Sequence, residues 1–331
     1  MKARNRIAII GGALLVLYLA GPRLKHHPLS GELPQASYDI SNVESYVQAR
    51  EAAFPTRPDN EARIIWNNDS LKNRTDHAVL YLHGYSASWY EGYPVNVSLA
   101  RSLQANCYLS RLQGHGLDVS DPLIDMEPSL LYETAKEALL IAATLGDTVI
   151  VMGTSTGGTL ALKLAADFPE LVHVLVLLSP NIAINNPAAF LLPMPWGLQI
   201  ARVSAGGGKM RQVEQESEAE QKYWYSTYRW ESTIYLSLLL KETMNADLFE
   251  RVKQPLFLGY YYKNEEEQDQ VVRVDAMLKM FDQLGTPESF KRKVAFPDAG
   301  GHVIGSEAVS GAAKELEMTV TSFVQEIMPL I

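Results

Sequence analysis

The sequence predicts an α/β domain with a mostly parallel central sheet and helices on both faces, and three observations carry that prediction. Short, continuous apolar runs of strand length recur along the chain, and amphipathic segments of helical length separate them. The alternation breaks once, over residues 180–247, where a long insertion is expected. With 331 residues, 47% of them apolar, the chain can bury one large core, so a single domain with a subdomain fits better than two independent ones.

Taken in order, Lys2, Arg4 and Arg6 precede an uncharged apolar run over residues 7–20. This pattern is a targeting segment rather than part of the fold: residues 1–22 read as a signal peptide or an N-terminal membrane anchor, with the folded domain on the far side of the membrane from the basic residues. The run is shorter than the roughly 20 residues a bilayer span needs, which favours a signal core. Tyr18 stands where a cut after Ala20 would want a small residue, which favours an uncleaved anchor. Both remain open, beside a buried N-terminal helix of a cytosolic protein. The expectation is an exported protein, either secreted or periplasmic, or membrane-anchored through residues 7–20. Residues 23–60, mixed and proline-bearing, read as a linker and the start of the fold, and residues 61–331 as the main domain.

Strands are predicted at residues 78–82, 107–109, 148–152, 172–178, 255–261 and 291–296, and helices at residues 95–105, 130–145, 159–168 and 271–284. The insertion ends in an aromatic cluster that runs from Tyr223 to Trp230. It either packs the core of the insertion or lines an apolar substrate pocket.

Composition excludes several function classes. The formal charge is −9 and long basic runs are absent, so no nucleic-acid partner is expected. The one cysteine, Cys107, lies in an apolar run and reads as a small buried hydrophobe, which rules out a disulfide framework and a cysteine zinc site. No metal and no organic cofactor is implied.

The chemistry-bearing motif is Gly153-Thr154-Ser155-Thr156-Gly157. Gly-x-Ser-x-Gly is weak alone, but here an apolar strand ends just before it and a strong helix former, residues 160–166, follows. Such a strand, sharp turn and helix hold a serine in a strained turn with its hydroxyl raised above the sheet. A P-loop would need a lysine that is missing. The Thr156 N–H, at the helix start, can donate to a developing oxyanion.

A serine hydroxyl needs a general base, and imidazole is the usual one near neutral pH. Among seven histidines, His302 follows the last strand in Asp298-Ala299-Gly300-Gly301 and precedes a C-terminal helix. It alone lies downstream of an acid in the order serine, acid, histidine. The acid should follow the strand at residues 255–261, where residues 263–272 offer Glu265, Glu266, Glu267 and Asp269. Asp269, directly before an apolar helix start, is the first choice and Glu267 the second.

These residues resemble the α/β-hydrolase superfamily, in particular its capped esterases and monoacylglycerol-lipase-like members. The marks are His83-Gly84-Tyr85, Gly114-His115-Gly116, the turn at Ser155, Asp269-Gln270-Val271-Val272 and Gly301-His302, over residues 76–330. The resemblance implies the α/β-hydrolase fold and a helical cap over about residues 180–247. It makes the Tyr85 N–H a second oxyanion donor beside Thr156, and His115 a structural residue. The expected activity is hydrolysis of carboxylic esters, lipid-derived ones among them, by a Ser155, Asp269, His302 triad. Amide, peptide or carbon–carbon hydrolysis, or acyl transfer, on the same triad is the alternative. A membrane-tethered binding protein is the non-enzymatic one.

Overall fold

The computed structural model describes residue 12 and residues 15–330. Its elements are α1 (Val43–Ala52), β1 (Arg63–Ile65), β2 (Thr75–Leu82), α2 (Val95–Ser102), β3 (Asn106–Leu109), α3 (Pro128–Leu145), β4 (Gly146–Thr154), α4 (Thr156–Asp167) and β5 (Val174–Leu178). There follow α5 (Gly197–Ser204), β6 (Met210–Gln212), α6 (Glu218–Tyr223), β7 (Thr227–Arg229), α7 (Trp230–Thr243), α8 (Ala246–Arg251), β8 (Leu256–Tyr260), α9 (Val274–Gln283), β9 (Lys291–Ala295) and α10 (Ala313–Ile327).

Seven strands form one sheet in the order β1-β3-β2-β4-β5-β8-β9, parallel throughout except for the antiparallel edge strand β1. The continuous apolar runs follow from burial on both faces. In β4, Val149 and Val151 face a core shared with α3, α4, α8 and α9, while Ile150 and Met152 face a second core closed by α2 and α10. Each such side chain, taken fully out of water, contributes about 1.5–3 kcal/mol before the cost of ordering the chain. Cys107, fully buried, belongs to the second core.

Register then positions the site. Thr154 pairs with Leu178, Leu178 with Gly259, and Tyr260 with Ala295, so the C-terminal ends of β4, β5, β8 and β9 finish along one edge. Every loop that leaves this edge opens onto the same space, the usual ligand side of an open parallel sheet.

The stretch read as a linker and the start of the fold contains α1, which buries Val43, Val47 and Glu51 against the body. The membrane-spanning or signal-anchor segment, and membrane association through it, is corrected. Residues 7–11, 13 and 14 of that run lie outside the described residues. Among the described residues no helix is long and apolar enough to cross a membrane. The physical reason is length: fourteen helical residues reach about 21 Å, against a hydrocarbon core of about 30 Å. The described end of the run, helical at residues 15–19, turns at Ala20 and meets the insertion. There the Trp196 indole donates to the Leu17 carbonyl at 3.3 Å and the Trp196 N–H to the Pro22 carbonyl at 3.0 Å.

Residues 180–247 hold α5, α6, α7 and the two-stranded β6–β7 ribbon. The aromatic cluster largely staples this unit to the body. Tyr225 and Tyr228 are buried in the first core. The Tyr225 hydroxyl donates to the Leu117 carbonyl at 2.7 Å.

Candidate active site

Ser155 sits between the last residue of β4 and the first of α4, with φ 52° and ψ −117°. A non-glycine residue in this region carries about 1–3 kcal/mol of strain, so its surroundings must hold it. They do so through the backbone: the Ser155 N–H donates to the Leu178 carbonyl at 3.0 Å, and the Ser155 carbonyl accepts from Gly158 at 2.9 Å and Asn181 at 2.9 Å. Gly157 is required because a methyl there would overlap the Leu82 carbonyl oxygen, where α4 crosses the end of β2.

His302, in the loop between β9 and α10, places Nδ1 2.6 Å from Asp269 Oδ2. Asp269 is 1% exposed, and its other oxygen, Oδ1, accepts the N–H groups of Val271 at 2.8 Å and Val272 at 3.0 Å. An ionised carboxylate cannot donate, so the Nδ1 carries the hydrogen and Nε2 keeps its lone pair in the neutral ring. Burial opposes the imidazolium, but the charge and hydrogen bond of Asp269, with the charge of Glu91, outweigh it and hold the His302 pKa above its ordinary value. Among the described residues no hydrogen bond joins the Ser155 hydroxyl to His302; such contacts tighten when substrate binds.

Glu267 stands elsewhere. Its carboxylate meets Lys263 at 2.9 Å and Asn264 at 3.0 Å on the exposed rim of the same loop. The structure therefore brings Asp269, not Glu267, to the imidazole.

The loop after β2 lies against the serine. The Tyr85 N–H donates to no acceptor among the described residues. Thr156 begins α4, whose first-turn N–H groups have no acceptor inside the helix. The Tyr85 side chain reaches into the insertion, 2.7 Å from Ser232 Oγ and edge-on to Tyr228. The loop is fixed from below by His83, which donates from Nδ1 to the Gly84 carbonyl at 2.9 Å and accepts the Leu112 N–H at Nε2, 3.1 Å away. That bonding requires a neutral ring, and burial beside His115 and Arg111 keeps the His83 pKa well below its ordinary value. His115 packs edge-on to His83, with ring centroids 4.9 Å apart, and burial lowers its pKa to about 4. Neither can serve as a neutral-pH proton shuttle, and both act as scaffold.

Two contributors escaped sequence reasoning. Arg111 is buried, bound to Glu51 of α1 through Nε at 2.5 Å and Nη2 at 3.1 Å, and donates to the His115 carbonyl at 3.2 Å. Glu91 is 2% exposed and accepts the Gly84 N–H at 2.5 Å. The one local signal for Glu91 is an acid set among Trp89, Tyr90 and Tyr93. A groove of about 670 Å³, lined mainly by apolar residues such as Ile182, Ile184, Phe190 and Leu240, opens along the insertion. Among the described residues no group of three or more histidine, cysteine or carboxylate side chains is arranged to hold a metal ion.

A doubly covered parallel sheet with a strained serine turn at its C-terminal edge, and a histidine bonded to a buried aspartate on loops that leave the same edge, defines an α/β hydrolase. The model of the alpha/beta hydrolase family matches residues 79–314, and the chain belongs to that family. No curated protein matches it. Among solved structures it is similar to one of the metagenome-derived lipolytic enzymes LipS and LipT, with TM-score 0.65, 17% identity, and 82% of this chain and 99% of the other covered. It is also similar to the monoacylglycerol lipase of Paleococcus ferrophilus, with TM-score 0.57, 12% identity, and 79% and 96% covered. A third likeness is to a soluble variant of monoglyceride lipase from Saccharomyces cerevisiae, with TM-score 0.56, 12% identity, and 92% and 99% covered.

Proposed function

We propose that the protein hydrolyses carboxylic esters through an acyl-enzyme on Ser155. His302 Nε2 takes the hydroxyl proton as Oγ bonds the ester carbonyl carbon, and the carbonyl electron pair moves onto oxygen. The N–H groups of Tyr85 and Thr156 receive that oxyanion. The C–O bond then breaks, the leaving alkoxide takes the proton from Nε2, and water repeats the sequence to release the acid. Asp269 orients the ring and stabilises the imidazolium. The observation that carries this reading is the pairing of His302 with Asp269 at 2.6 Å, Asp269 itself being held by two backbone N–H groups.

The preferred ester has a modest apolar acyl chain. The apolar groove beside the insertion supports this, as do the lipolytic enzymes and monoacylglycerol lipases among the similar structures. Export forms part of the proposal: residues 1–22, the basic residues with the apolar run that follows them, act as a secretory leader. Sequencing the mature N-terminus after cell fractionation tests it, and an intact leader in the cytoplasmic fraction refutes it.

A fluorophosphonate probe should label the wild type at Ser155 and leave Ser155→Ala unlabelled. A panel of p-nitrophenyl esters of increasing chain length, run beside matched amides, should then show ester turnover. Labelling without ester turnover but with amide turnover would move the reaction to the alternative bond. No adduct on folded protein would sink the enzymatic reading.

A further inference from the structure

We propose that Glu91 is a positioning residue for the oxyanion hole, its carboxyl group holding the His83–Gly84 peptide and so setting the turn from which the Tyr85 N–H points at the oxyanion formed on Ser155. The inference rests on the ester-hydrolase reading and adds to it a residue that none of the catalytic steps uses.

The geometry is specific. Glu91 lies in a 3-10 turn, Trp89–Gly92, and its carboxyl is turned inward, away from solvent. Oε2 accepts the Gly84 N–H at 2.5 Å. Gly84 is wedged between that carboxyl and the nucleophile: a methyl built on it would lie 2.6 Å from Glu91 Oε1 and 3.0 Å from Ser155 Cβ. Together with the His83 Nδ1 bond to the Gly84 carbonyl, the Glu91 bond fastens the peptide units on both sides of Gly84. The next N–H, that of Tyr85, has no acceptor among the described residues.

A buried acid is a costly way to supply one acceptor, since a neutral side chain would do so without the desolvation penalty. Its other neighbours explain the choice. The Tyr81 hydroxyl lies 3.4 Å from Oε2 and 2.9 Å from Thr154 Oγ1, which ties the carboxyl to the residue before the nucleophile. His302 faces it in charge, and an ionised Glu91 favours the imidazolium formed as Ser155 is acylated.

The test compares Glu91→Ala and Glu91→Gln with the wild type, active sites being titrated to completion with a fluorophosphonate so that rates refer to folded enzyme. Glu91→Ala removes the acceptor and should lower ester kcat about 10–100-fold, the scale of a disordered oxyanion donor, with KM changed less than about threefold. Glu91→Gln keeps an oxygen for the Gly84 N–H and should recover kcat to within about fivefold. Because the charge facing His302 is gone, the acid limb of its kcat/KM profile should move to lower pH, a shift that a merely structural role would not produce. If Glu91→Ala does not fold, the Glu91→Gln profile carries the test. Unchanged kcat in folded Glu91→Ala, or an unshifted acid limb in Glu91→Gln, overturns the inference while labelled wild type keeps Ser155 in place. A wild type that is not labelled overturns the Ser155 reading first.

Discussion

Replacing Glu51 by alanine tests how far α1, which looks like linker in the sequence, supports the site. The Glu51 and Arg111 side chains are 5% and 4% exposed, and they meet in a two-point contact of 2.5 Å and 3.1 Å. Glu51 Oε2 also accepts the Ala62 N–H at 3.1 Å, and Arg111 holds the His115 carbonyl. Glu51→Ala leaves a buried guanidinium without its counter-ion and a backbone N–H without its acceptor. The expected cost is about 3–5 kcal/mol. With a urea m-value of about 3 kcal/mol/M, the unfolding midpoint should fall by roughly 1–1.7 M. The double variant Glu51→Met with Arg111→Met removes both charges and keeps much of the volume, so it should cost clearly less than the two single changes added together. Because Arg111 leads through His115 and His83 to the Gly84 carbonyl, Glu51→Ala should also lower kcat at temperatures where it remains folded. Single variants that cost under about 1 kcal/mol, or a double variant whose cost is additive, would refute the reasoning.

Further outcomes follow from the same contacts. Asp269→Asn should lower kcat by about 10³–10⁴-fold, because the amide leaves the ring in the wrong tautomer, while Glu267→Gln on the exposed rim should stay near wild type in steady-state assays. In the wild type the acid limb of kcat/KM should lie above the pH of an ordinary imidazole, since activity needs neutral His302 and its pKa is raised; NMR titration of His302 in Asp269→Asn should show that pKa falling. Burial pushes the Glu91 pKa up to about 7, so the folded protein keeps a proton there that the unfolded chain releases. Glu91 thus contributes stability that is complete below its unfolded pKa and is lost as pH rises through about 7, a change of roughly 3 kcal/mol. Thermal unfolding of Glu91→Gln should lack this decline, and parallel curves for the two proteins would count against it.

What was legible in the sequence is what the chain writes locally. The six predicted runs all contain strands of the sheet, because a strand buried on both faces must be apolar throughout. The serine turn needs a strand, a turn and a helix in succession, so its context lies within twenty residues of Ser155. Helix α1 is different. Val43 and Val47 mark only two turns of an apolar face, and the third position of that face is Glu51, an acid that makes sense in the interior only beside Arg111, sixty residues on. Strand β1 is three residues long at an edge, too short to show a period. Glu91 has only its aromatic neighbours as a local signal, because the groups that give it a purpose, Gly84 and Tyr81 by hydrogen bond and His302 by charge, come from other elements. The acid loop shows the boundary most sharply. Glu267 and Asp269 are both carboxylates in one short stretch, and charge does not distinguish them. Asp269 stands directly before Val271 and Val272, whose N–H groups it accepts while Val272 is drawn into the core, and this draws its own carboxylate inward to meet His302. Glu267 has only Lys263 and Asn264 around it and stays in water. Selection between the two acids is therefore made by the apolar residues that follow.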